Sequence, residues 1–171
     1  MCVLTRDAIL EEIRAERLRV DPFDPDQVGP ASIDLHLGHE LRVPKASLVG
    51  PVPLTEESDP HEQTELIRMT TCYVLHPGQT IHGVTRERLH LPPDLCGWLE
   101  GRSRTARFGL TVHATSGFVH PGVSNHQVLE MTNVSNVALA LHPDIRICQV
   151  VLERTEGAAV YRGQFADQSA P

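Results

Sequence analysis

The chain has 171 residues, 40% hydrophobic, 22% charged and only 4% aromatic. That is a globular balance with room for one ordinary core of Val, Leu and Ile, and two full domains would be a squeeze. No apolar run approaches the roughly 18 residues of a membrane span, and the net charge of −7 disfavours generic nucleic-acid binding, which calls for a basic face. The four cysteines, Cys2, Cys72, Cys96 and Cys148, are far apart and form no CxxC pair, so reduced thiols and a cytoplasmic protein are expected. Met1 to Arg6 leads directly into a charged helical pattern, with no sign of a secretory signal.

Thr5 is a candidate N-cap, and Ile9, Leu10, Ile13 and Leu18 recur at roughly helical spacing, predicting a helix over 5–17. The prolines of Asp21-Pro22-Phe23-Asp24-Pro25 end it. Residues 32–37 then alternate, with Ile33, Leu35 and Leu37 on one face and Ser32, Asp34 and His36 on the other, as a half-buried strand does. Residues 44–66 are rich in prolines and acids and read as an exposed excursion.

Short strand-like segments follow at 71–75, 79–84, 95–100, 109–114, 127–133, 138–141 and 146–152, separated by Pro77-Gly78, Pro92-Pro93, Pro121-Gly122 and Pro143-Asp144. This β-rich core over 71–152 argues for a closed or double-sheet β architecture in a single domain, 1–171. Cys72 and Cys148 fall in apolar patterns and are expected in the core. Residues 160–171 are small and polar, a tail with little of its own to fix it.

Two features carry chemistry. Gly101-Arg102-Ser103-Arg104-Thr105-Ala106-Arg107 places three guanidiniums and two hydroxyls in a short segment of an acidic chain. Forked arginine donors and neutral hydroxyls suit phosphate oxygens, although a solvated turn explains the segment as well, and the P-loop arrangement is absent. Glu130, in Val128-Leu129-Glu130-Met131, is a carboxylate among apolar neighbours. Desolvation there raises a carboxyl pKa and suits it to proton shuttling, while plain alternation with Val128 and Thr132 permits a solvent-facing position instead. The chain has ten histidines, with His113, His120 and His126 close together, but no HxH, HExxH or H-x-E…P-C-x-x-C spacing supports a metal site. A cupin-like metal barrel is disfavoured for the same reason, and no G-x-S-x-G elbow supports serine-hydrolase chemistry.

Taken together the ordered motifs resemble the dCTP deaminases. Gln27-Val28-Gly29-Pro30-Ala31-Ser32-Ile33-Asp34-Leu35-His36-Leu37-Gly38 is similar to their N-terminal signature. The segment from Gly101 through Arg107-Phe108-Gly109-Leu110 to Val112-His113-Ala114-Thr115 looks like their phosphate and active-site motif. Pro121-Gly122, Val128-Leu129-Glu130 and Asn133 look like the catalytic strand. Ile147-Cys148-Gln149 and Tyr161-Arg162-Gly163-Gln164 resemble the last strand and C-terminal lid.

The resemblance implies a mainly β fold, a distorted β-barrel or jelly-roll of the dUTPase-like type with a short N-terminal helix, assembled as a homotrimer with shared sites. It implies hydrolytic deamination of dCTP to dUTP and ammonia in pyrimidine deoxynucleotide metabolism. The general acid/base role falls on Glu130, with Ser103 and Arg107 completing the site from an adjacent subunit. Arg102, Ser103, Arg104, Thr105, Ala106 and Arg107 would bind the triphosphate. His120, Val128, Leu129, Gln149, Tyr161, Arg162 and Gln164 would contact substrate. Mg²⁺ would arrive with the triphosphate, no zinc would be used, and the family suggests dTTP as an inhibitor.

Two departures stand out. His120 replaces the aspartate that most members carry, which touches the sugar in deaminases and activates water at the α-phosphate in dUTPases. The stretch 153–161 is short and lacks the family's phosphate-contacting lysine. The first weighs against a dUTP diphosphatase or a bifunctional deaminase–dUTPase, and the joint presence of Glu130, Ser103 and Arg107 weighs against a non-catalytic nucleotide-binding regulatory barrel.

Overall fold

A computed structural model describes residues 2–46, 50–113, 115–163, 165–166 and 168–171. The N-terminal helix α1 (Arg6–Arg14) is shorter than its apolar spacing predicts, because Glu16 turns at a positive φ of 56°. The Arg17 and Leu18 amides then both bond back to the Glu12 carbonyl. Among the described residues eleven strands follow in chain order: β1 (Arg19–Asp21), β2 (Ile33–Pro44), β3 (Thr64–Arg68), β4 (Tyr73–Leu75), β5 (Thr80–His90), β6 (Leu95–Gly101), β7 (Leu110–Val112), β8 (Phe118–Val119), β9 (Ser124–Asn133), β10 (Leu139–Leu141) and β11 (Arg146–Arg154). A one-turn helix α2 (Ser103–Ala106) sits between β6 and β7.

Nine strands join in one sheet, in the order β7-β9-β5-β2-β11-β6-β8, with β1 on β5 and β3 on β2; β10 and β4 pair separately. The sheet curls because β2 serves two halves. Residues 33–36 of β2 pair with β11, its later residues pair with β5 and β3, and the register against β5 shifts between Leu37 and Leu41. A second shift, between Val84 and Arg88 of β5 against β9, adds to the bend. Such irregularities re-aim a strand and let a sheet close toward a barrel.

The inner layer is aliphatic. Ile33, Leu35, Leu37, Leu41, Leu129, Met131, Ile147, Val150 and Leu152 are wholly buried. Cys148 joins them and burial pushes its thiol pKa far up. Cys72 is exposed and Cys96 buried, the reverse of what a core position for Cys72 would give. The described residues of the excursion after β2 are mostly exposed as expected, but residues 64–68 return from it to form a hairpin with β2.

Buried polar groups hold the layers in register. The fully buried Glu87 carboxylate accepts from the His36 backbone amide at 2.8 Å, from Gln27 Nε2 at 2.9 Å and from Arg86 Nη2 at 3.1 Å, and lies 2.6 Å from His36 Nδ1. Asn133, equally buried, donates to the Leu75 and Val137 carbonyls and accepts from the Ser135 amide and hydroxyl. At the helix, Arg154 and Arg17 clamp Glu12. Burial works against its ionisation, but the two guanidiniums outweigh that and hold its carboxyl below the usual range. No helix among the described residues is long and apolar enough to cross a membrane.

Candidate active site

Strand β9 alternates strictly, burying Leu129 and Met131 in the core and turning Val128 and Glu130 to the opposite face. There they line a cavity of about 300 Å³ together with Arg42, His82, His113, His120 and Tyr161. The face that alternation allowed to be plain solvent is a pocket wall. Leu129 stands behind that wall, so any contact it makes with a ligand is through its backbone.

The Glu130 carboxylate is held on one side. Thr115 donates its hydroxyl to Oε2 at 2.5 Å, and the His113 backbone amide donates to the Glu130 carbonyl at 3.2 Å. His113 takes a positive φ of 57°, which brings its ring into the cavity wall. Neither ring nitrogen makes a hydrogen bond of ordinary geometry among the described residues. Burial pushes the His113 imidazole toward its neutral form, against the pull of Glu130 and of the Val128 backbone. His82 lies on the other side, directly across from Glu130 on β5. It is also pushed toward neutrality, first by burial, with Arg42 and His61 adding and Glu130 opposing.

His120 stacks on Tyr161 with ring centroids 4.8 Å apart and planes 10° from parallel, and meets Phe118 edge-on at 4.8 Å. Tyr161 is set by its amide, which donates to the Pro121 carbonyl at 3.0 Å, and by the approach of Val160 to Gly122. Gly122 has φ +72°, and a Cβ there would lie 2.9 Å from Val160 Cα, so both backbone and space require glycine. Described residues of the tail are held from outside it. Asn125 donates to the Phe165 carbonyl at 2.8 Å, the His126 amide to the Gln168 carbonyl at 3.1 Å and Arg42 Nε to the Pro171 carbonyl at 2.6 Å, and all three acceptor residues line the cavity. Gln164 lies outside the described residues.

The arginine segment lies elsewhere on the same copy. None of residues 102–107 lines the cavity. Ser103, Arg104, Ala106 and Arg107 are exposed on α2 and its end, and the Thr105 hydroxyl donates to the Arg102 carbonyl at 3.0 Å. Arg102 differs from the other two arginines: its Nη2 sits 3.0 Å from the Asp34 carboxylate and its Nη1 donates to the Arg146 carbonyl. Gln149, on β11, accepts from the Ser32 hydroxyl at 2.7 Å and donates to the Gly101 carbonyl at 3.3 Å. Residues 32–34 therefore brace the base of the arginine segment. Arg162 is exposed. Among the described residues no group of three or more His, Cys, Asp and Glu is arranged to hold a metal ion.

The sequence profile of the dCTP deaminase-like family matches residues 3–155. This chain belongs to the dCTP deaminase-like family. A relative from Parafrankia, named dCTP deaminase, dUMP-forming, is 38% identical across 100% of this chain and 88% of its own length. Among solved structures, a 2′-deoxycytidine 5′-triphosphate deaminase from Agrobacterium tumefaciens superposes with a TM-score of 0.69 at 23% identity, over 90% of this chain. This chain spans only 48% of that protein. A Staphylococcus bacteriophage 80alpha dUTPase gives a TM-score of 0.51 at 12% identity over 86% of this chain. The likenesses confirm the dUTPase-like β fold with its short N-terminal helix. The name of the Parafrankia relative ends in dUMP, where the motifs alone suggested dUTP.

His82 and Arg42, on the cavity wall, and Thr115, bonded to Glu130, are residues around its carboxylate that the motifs did not single out for a role. Only strand register brings His82 and Arg42 to Glu130, and Thr115 gave no signal beyond its place in the family motif.

Proposed function

We propose that this protein, acting as a single deaminase-like unit over 1–171, hydrolytically deaminates dCTP with Glu130 as general acid/base. The observation that carries the reading is the Glu130 carboxylate on the wall of a cavity of about 300 Å³, with Oε2 fixed by Thr115 and Oε1 making no hydrogen bond among the described residues. Attack of water at C4 of cytosine needs a base for the water's proton. The same carboxyl can pass that first proton to N3 of the ring and then relay the remaining proton of the added hydroxyl to the departing amine, so one residue serves both halves of the reaction. No step of this sequence is assigned to zinc. Mg²⁺ travels with the triphosphate and screens its charge.

In this reading Ser103 and Arg107 complete the site from a neighbouring copy in a homotrimer. Their separation from the Glu130 cavity within one copy supports it, as do the exposure of Arg104 and Arg107 and their freedom from ion pairs among the described residues. Arg102 anchors the segment through Asp34 and faces the triphosphate only from that tether. Arg104, Thr105, Ala106, Arg162 and Gln164 are assigned to the phosphate side. His120, Tyr161 and the Val128 backbone are assigned to the sugar and base, with Gln149 supporting the loop beneath. The reading includes inhibition by dTTP at the same site.

We take dUMP, released with pyrophosphate and ammonia, as the end product, on the support of the relative's name. His120 favours a second reading, in which the reaction stops at dUTP, because an imidazole is a poorer base than a carboxylate beside phosphates. Product analysis after incubation with dCTP and Mg²⁺, with dUTP in parallel, tests both. Ammonia with dUMP and pyrophosphate supports the first, ammonia with dUTP alone the second, and no ammonia overturns the deaminase reading.

A further inference from the structure

Three side chains stand abreast on the cavity-lining face. Arg42 of β2 is the register partner of His82 of β5, and His82 is the register partner of Glu130 of β9. Partners facing each other across antiparallel strands share a face with Cβ atoms about 4.5–5.5 Å apart, and all three line the cavity. The half-buried imidazole is therefore wedged between the guanidinium and the carboxylate. Arg42 is occupied on its far side, with Nε on the Pro171 carbonyl and Nη1 3.3 Å from the Thr64 hydroxyl. Glu130 is fixed through Oε2 by Thr115, and Oε1 makes no hydrogen bond among the described residues.

We propose that His82 is a positioning residue for Glu130, bracing the carboxylate from the adjacent strand and setting through its own charge how strong a base that carboxylate is. The proposal rests on Glu130 being the proton-shuttling group. A neutral ring leaves the carboxylate unpaired on that side and available to the attacking water, whereas an imidazolium would pair with it and compete with the water for it. The charged and titratable groups facing His82 are Arg42 from β2, His61 from the turn before β3 and Glu130 from β9, with His113 beyond Glu130. Arg42, His61 and burial all disfavour the charged ring, so the neutral state prevails at neutral pH and gives way on acidification.

The test is the pH profile of ammonia release from dCTP with Mg²⁺, with kcat and KM separated, for the full chain and four variants. His82→Gln should lower kcat by about threefold near pH 8 and move the acid limb of kcat down by about half a pH unit or more, with little change in KM. His82→Lys fixes the positive charge and should lower kcat by about tenfold or more at every pH. His90→Gln changes another histidine of β5 that does not line the cavity, and should leave the limb where it is. Glu130→Gln reports on the underlying reading. If it retains turnover, the general acid/base assignment fails. If it is inactive while His82→Gln keeps the wild-type acid limb, the assignment stands and the proposal for His82 is overturned. Should His82→Lys fail to fold, His82→Gln alone decides.

Discussion

Replacing Thr115 by Val removes one hydrogen bond and almost no volume. The bond it removes is the 2.5 Å contact that fixes Glu130 Oε2. Hydrogen bonds to charged groups are worth about 1.5–3 kcal/mol, and this one is exposed, so the lower end applies. About 1.5 kcal/mol lost from the oriented carboxylate corresponds to roughly a tenfold fall in kcat. KM should change little, because the bond orients the base and does not hold the substrate. Thr115→Ser keeps the hydroxyl and should keep most of the rate. The assay is ammonia release from saturating dCTP with Mg²⁺. A Thr115→Val enzyme within about twofold of wild type would show that the bond has no part in aligning Glu130.

Stability and assembly give further expectations. Asn133→Leu removes four hydrogen bonds from a fully buried amide and should cost about 3 kcal/mol, or roughly 6–12 °C in thermal midpoint at this chain length; a shift under about 2 °C contradicts the network. The pKa values of His82, His90 and His113 are all lowered, mainly by burial. The unfolded chain therefore binds protons more readily than the fold, and stability is lost as pH falls below the ordinary value of 6.5. Thermal midpoints that stay flat between about pH 7.5 and 5.5 would refute that sign. Arg107→Ala and Glu130→Gln subunits, each inactive alone, should regain activity when reassembled together if two copies share each site, and no recovery in mixed trimers counts against it. Activity should survive a zinc-selective chelator with Mg²⁺ in excess, whereas loss restored by zinc alone would reinstate a metal site.

The strands with one clean apolar face were legible in the sequence, and so were the residues they carry. Ile33, Leu35 and Leu37 alternate into the core as their spacing requires, and Val128 and Glu130 share a face. Strand β5 was legible only in part. Beyond Val84 it carries Thr85, Arg86, Glu87, Arg88 and His90, and the fold buries Thr85 and Glu87 in polar networks that no local pattern announces. Strand β3 hid inside an acidic excursion because its residues are mostly exposed at a hairpin edge.

The site divides the same way. Glu130 and the arginine segment stood out as chemistry. The anchoring of Arg102 by Asp34 and the neighbours of Glu130 depend on pairings distant in sequence. The hold on the tail was not legible, because it comes from Arg42, Asn125 and His126 and not from the tail's own residues.

The most direct test of the account is Glu130→Gln, assayed for ammonia release from dCTP and, separately, for binding of dCTP with Mg²⁺. The substitution keeps the side chain's size and replaces the carboxylate by a neutral amide that cannot take a proton from water. The account predicts loss of turnover with nucleotide affinity largely retained. A variant that still releases ammonia at a near-normal rate would remove Glu130 from the chemistry and contradict the account at its centre.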